Sequence, residues 1–130
     1  MISIEQITNS SDVADIPLNL TSTTIYSKSF ILENYQDFCL AYKASTANPS
    51  LTLQVEQGMV LPQTEGNEDA NWNIPTNQND VVTLLNTSAI QFTSFSPAPV
   101  PYGRIKITTK IGTPTNTTIN MKLCCYEDYA

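Results

Sequence analysis

Apolar and polar residues alternate along most of this chain with the period of two that a half-buried β-strand requires. The clearest run is Phe38 to Lys43, which sets Phe38, Leu40 and Tyr42 on one face. After the turn residues Asn48, Pro49 and Ser50, Leu51, Leu53 and Val55 alternate with Thr52, Gln54 and Glu56. These two runs are expected to pair as a hairpin or as neighbouring strands. Further strands are predicted at 23–26 continuing into 30–32, and at 81–85, 89–95, 104–108 and 118–125. Ile105 and Ile107, with Ile119, Met121, Leu123 and Cys125, give the last two strands a defined inner face. The turn from Gly112 to Asn116 is expected to join those two strands as an antiparallel pair. Pro97, Pro99 and Pro101, at every second position, favour extended chain and forbid a central paired strand there. No stretch carries a helical period. About seven or eight short strands at this spacing predict an all-β fold, an antiparallel β-sandwich of jelly-roll or immunoglobulin-like type.

Residues 1–20 break the pattern. Their apolar residues, Ile2, Ile4, Ile7, Val13, Ile16 and Leu18, follow no sustained period. The expected division is an N-terminal arm at 1–20 and a sandwich domain at 21–130. On that reading Ile2, Ile4, Ile7, Ile16 and Leu18 are partner-binding residues, mobile in the isolated subunit and ordered across a neighbour.

Composition sharpens the picture. The 130 residues include no histidine, and only 14% are charged, with Thr, Ser, Asn and Gln filling the gap. Imidazole is the usual proton shuttle and a leading metal ligand, so its absence argues against an enzyme and against a bound cofactor or metal. A serine or cysteine nucleophile would lack its histidine base, and four scattered glycines build no phosphate loop. The net charge of −6 opposes nucleic-acid binding. Arg104, Lys106, Lys110 and Lys122 are expected to share a solvated sheet face with Thr108 and Asn120, open to an acidic partner surface. No apolar run is long enough to cross a membrane as a helix, and the N-terminal sequence shows no signal-peptide pattern. Cys39, Cys124 and Cys125 are an odd set, read as reduced and mostly buried in a protein folded in a reducing cytoplasm. The sequons at Asn9, Asn19, Asn86 and Asn116 are what so Asn-, Ser- and Thr-rich a composition generates by chance.

Two loop features carry candidate chemistry. Glu65, Glu68, Asp69 and Asp80 offer oxygen ligands for calcium, although their spacing matches no EF-hand and polar turns account for them more simply. Trp72, flanked by Asn71 and Asn73, suggests an alternative of another class, a lectin-like carbohydrate-binding module in which the indole stacks on a sugar.

From Tyr35 the chain reads Tyr-x-x-Phe-x-Leu-x-Tyr, a polar loop, Leu-x-Leu-x-Val-Glu and an acidic loop with Asn-Trp. It ends in Pro-Ala-Pro-Val-Pro-Tyr-Gly-Arg-Ile-Lys-Ile, Gly-Thr-Pro-Thr-Asn-Thr-Thr-Ile and Met-Lys-Leu. In layout and composition, residues 20–126 resemble the small single-domain β-sandwich proteins of tailed-bacteriophage virions. That resemblance implies a non-enzymatic virion component, a capsid decoration or auxiliary protein, with a neck or tail part as the alternative. The partners it implies are major capsid or neck and tail proteins and further copies of the chain as a homo-oligomer, with no nucleic acid and no membrane. It transfers no site residues.

Overall fold

A computed structural model describes residues 2–18, 24–32, 35–45, 51–59, 72–73, 81–84, 89–95, 101–109 and 117–127. Among them every regular element is a β-strand. The strands are β1 (Ile2–Ile7), β2 (Ile16–Pro17), β3 (Thr24–Tyr26), β4 (Phe30–Ile31), β5 (Tyr35–Ala44) and β6 (Leu51–Gly58). They continue as β7 (Trp72–Asn73), β8 (Val81–Leu84), β9 (Gln91–Phe95), β10 (Tyr102–Thr109) and β11 (Thr118–Glu127).

Two antiparallel sheets pack face to face. In sheet A the order is β1-β11-β5-β9, with β2 beside β11; in sheet B it is β3-β10-β6-β7, with β4 beside β10 and β8 beside β6. Two short strands often share one edge position. β1 and β2 successively cover the same side of β11, through Ile7 opposite Met121 and Ile16 opposite Ile119. β3 and β4 do the same on β10, and β7 and β8 both pair with β6. Each sheet therefore has four strand positions. Except from β6 to β7 and β8, each successive connection between positions passes to the other sheet. This is the eight-position jelly roll, so the immunoglobulin-like alternative is set aside.

The crossing connections correct two expected pairings. β5 and β6 are not a hairpin, and neither are β10 and β11: each pair is split between the sheets. Alternation marks the apolar face of a strand but not its partners, whereas a loop of several residues can lead either sideways or over the top. The inner faces meet across the interior instead. Leu40, Ile119, Met121 and Leu123 of sheet A share one cluster with Leu53, Val55, Ile105 and Ile107 of sheet B, each at most 1% exposed. Phe38 and Phe95, directly paired across β5 and β9, stack with centroids 5.2 Å apart. Tyr42, buried on the same face, keeps its hydroxyl 3.1 Å from that of Thr93, which satisfies its polar end.

The N-terminal segment is corrected too. Rather than standing free, Ile2–Ile7 adds an edge strand to β11 of its own chain, and Ile7, Ile16 and Leu18 belong to the core. The excursion between β1 and β2 explains the missing period. Asn9 Oδ1 accepts hydrogen bonds from the amides of Ser11 and Val13, and Asp12 takes the left-handed backbone conformation at φ 61° that Asp tolerates. Lys28 ties this turn to the other sheet, through its amide to the Thr8 carbonyl and its ammonium to Asp12 at 2.8 Å.

β3 and β4 show why the run from 24 to 32 is broken. Tyr26 pairs with Lys106 and Phe30 with Gly103, so this edge carries one residue more than β10, which is a bulge. Ser27 fills the gap: its amide donates to the Ile105 carbonyl, and its hydroxyl accepts from the Ile105 amide. Gly103 faces Phe30 so closely that a Cβ there would lie 2.6 Å from the phenyl ring and 2.8 Å from a Leu32 methyl.

Three stability predictions follow from this packing. Gly103→Ala should destabilise by about 1–3 kcal/mol, because Phe30 and Leu32 are themselves buried and have no free space to retreat into; a thermal melt reads it. Ile16→Ala should cost about 2–5 kcal/mol. Deleting residues 1–18 removes Ile7, Ile16 and Leu18 together, at about 1.5–3 kcal/mol each, which is comparable with a typical domain's whole stability. The truncated chain should lose its cooperative thermal transition; an unchanged one would show that the segment is dispensable.

Candidate functional site

Both sheets carry polar and apolar residues on their outer faces, and on sheet B Ile31 of β4, opposite Tyr102, is 55% exposed. On sheet B the outward register row of β3, β10 and β6 places Thr24, Thr108 and Thr52 side by side, with Thr83 of β8 at the next position. Cross-strand threonines of this kind stabilise a polar face. The neighbouring rows hold Arg104 opposite Glu56, and Lys106 between Tyr26 and Gln54. Arg104 is fully buried although it points away from the core. Its Nε donates to Glu56 Oε1 at 2.9 Å, and its guanidinium lies 3.9 Å over the Tyr26 ring.

The basic face expected from Arg104, Lys106 and Lys122 therefore does not exist. Arg104 and Lys106 lie on the outside of sheet B, Lys122 and Asn120 on the outside of sheet A, on opposite sides of the molecule. Lys110 lies outside the described residues. The Arg104–Glu56 pair had no sequence signal, because its partners lie on separate strands whose register the alternation leaves open.

Sheet A presents its outward residues in rows that cross all four strands. One row is Ile4, Cys124, Cys39 and Ser94; the next is Gln6, Lys122, Ala41 and Phe92. Ile4 is 67% exposed and Phe92 65%, and Ile90, just before β9, is 54% exposed. The half-buried thiols of Cys39 and Cys124 and the buried Ala41 lie between these residues, so that they make an apolar band interrupted by Lys122 and Ser94. At about 4.8 Å between strands, the band spans roughly 14 Å.

Beside it lies an open hollow of about 530 Å³ lined by Asp15, Lys43, Ser45, Asn120 and Lys122. Asn120 donates to Asp15 at 2.8 Å and accepts from Gln6 Nε2 at 3.3 Å, so the N-terminal segment forms part of its wall. Two exposed ammonium groups beside one carboxylate suit contact with an acidic protein surface.

Of the five partner-binding residues expected from the sequence, Ile4 has its side chain presented outward, on this band. Ile7, Ile16 and Leu18 are spent in the chain's own core, and Ile2 pairs through its backbone with Tyr126. Phe92 and Ile90 were missed as surface residues because alternation marks an apolar face without saying whether it turns inward. Trp72 and Asn73 form β7 at the edge of sheet B, opposite Gly58 and Gln57. Asn71 and the acidic residues Glu65, Glu68, Asp69 and Asp80 lie outside the described residues.

Cys39 and Cys124 stand directly opposite each other on β5 and β11. Burial raises the Cys39 thiol pKa above its ordinary value, and the neighbouring Cys124 raises it further, against smaller opposing contributions from the Thr93 backbone and the Ser94 side chain. Cys39 is thus held protonated and quiet at neutral pH. Cys125 points inward and is buried.

No protein-family model matches the chain, and no curated protein does so either.

The ion pair on sheet B yields a separable prediction. Glu56→Ala leaves the Arg104 charge buried without its carboxylate and should destabilise by about 3–5 kcal/mol. Replacing both partners, as Arg104→Met with Glu56→Leu, should recover much of that loss in a chemical denaturation series. Equal loss in the single and double variants would refute the buried-charge explanation.

Proposed function

We propose that the chain is a non-enzymatic structural component of a bacteriophage virion, a capsid decoration or auxiliary protein that assembles as an oligomer on the particle. The observation that carries this reading is the apolar band of Ile4, Ala41, Phe92 and Ile90 across the outer face of sheet A. Exposed apolar residues on one sheet face, with Lys43, Lys122 and Gln6 among them, are the kind of surface that a protein–protein contact uses. The jelly roll adds support by analogy, since viral capsid domains use it, although the same architecture also serves lectins.

The partners in this reading are other virion proteins and further copies of the chain. In this reading the outer face of sheet A would lie against a neighbour. Nothing in the mechanism requires a cofactor: the work is done by complementary surface, and the affinity is concentrated in a few buried apolar anchors.

Mass spectrometry of purified particles should find the chain among the virion proteins, and its absence would overturn the assignment. Phe92→Asp should weaken particle attachment or self-association by about tenfold or more, the scale of an interface hot spot, while leaving the thermal transition in place. Attachment that survives both Phe92→Asp and Ile4→Asp would exclude this face as the contact.

A further inference from the structure

We propose that Cys39 and Cys124 form a cross-strand dithiol, a modification site at which a small disulfide is reduced and β5 becomes stapled to β11. The register carries the inference. The two residues are direct partners in an antiparallel pair, with side chains on the same outward face. Directly opposed residues in such a pair have Cα atoms about 4.5–5.5 Å apart. That separation lies inside the range of about 4.4–6.8 Å that a disulfide spans. Both thiols are half-buried and open to a small reagent. Cys125 is excluded, because it is adjacent to Cys124 in the chain and points into the core.

The reaction is thiol–disulfide exchange, and its co-reactant is a low-molecular-weight disulfide. The Cys124 thiolate attacks one sulfur of that disulfide; the new S–S bond forms as the old one breaks, and one small thiol leaves with the proton from Cys124. The Cys39 sulfur then attacks Cys124 Sγ and expels the second small thiol, which takes the proton from Cys39. The protein loses two hydrogens and two electrons, and the small disulfide gains both. The closed bond ties together two central strands of sheet A that lie far apart in sequence. A chain folded with reduced thiols would acquire the staple on leaving a reducing compartment. This inference stands independently of membership in a particle.

The test uses the full-length protein and oxidised glutathione. After incubation, the protein is denatured, alkylated without reductant and weighed intact. The expected product is a monomer lighter by two hydrogens that carries one alkyl label, with peptide mapping joining Cys39 to Cys124. Three labels, a persistent glutathione adduct on the natural chain, or a disulfide mapped to Cys125 would each overturn the proposal. Cys39→Ser and Cys124→Ser should each stop at a mixed disulfide or remain open, whereas Cys125→Ala should close as the natural chain does. Thermal melts confirm that each variant is folded when assayed. Closure in Cys39→Ser would equally refute it.

Discussion

The whole molecule depends on the facing of its central strands. β5 and β11 in sheet A, and β10 with β6 in sheet B, each turn a row of branched or long apolar residues inward, and these residues are almost completely withdrawn from water. Burial at roughly 25 cal/mol per Å² of apolar surface is the dominant favourable contribution in a chain without disulfides to constrain it. The remaining strands are attached to this centre as edges. β1 with β2, and β3 with β4, divide one edge position between two short pieces because neither piece has enough inward residues to hold a full strand alone. Their interruptions are built rather than accidental: Asn9 organises one and Ser27 the other.

That constraint also accounts for what could be read in advance. Strand positions and inward faces were legible at 38–43, 51–56, 104–108 and 118–125, since a period of two is a local property. Partners were not. Whether β5 lies beside β6 or across the interior from it depends on the path of the connecting loop, and both arrangements bury the same residues. The N-terminal segment was misread for a related reason. Ile7, Ile16 and Leu18 share one edge of β11 but are separated by a polar turn, so no window of sequence contains a regular pattern. Arg104 reads as an ordinary solvated cation; only the register that brings Glu56 and Tyr26 to it makes burial tolerable.

The two outer faces differ in the extent to which they are satisfied within the chain. On sheet B, threonines lie in register and the buried cation has both a carboxylate and an aromatic face, while Ile31 at the edge is left exposed. On sheet A, the residues in the equivalent positions are Ile4, Ala41, Phe92 and two thiols, which gain little from contact with water and little from one another. Such a difference does not arise from the needs of folding, because the inner faces alone suffice to hold the sandwich. A flat sheet face gives broad contact without rearrangement of the backbone, so a partner there would incur mainly the cost of association itself. The asymmetry thus lies in what each outer face leaves to solvent: sheet A presents Ile4 at one edge and Phe92 at the other, whereas Arg104 of sheet B is covered within the chain by Glu56 and Tyr26.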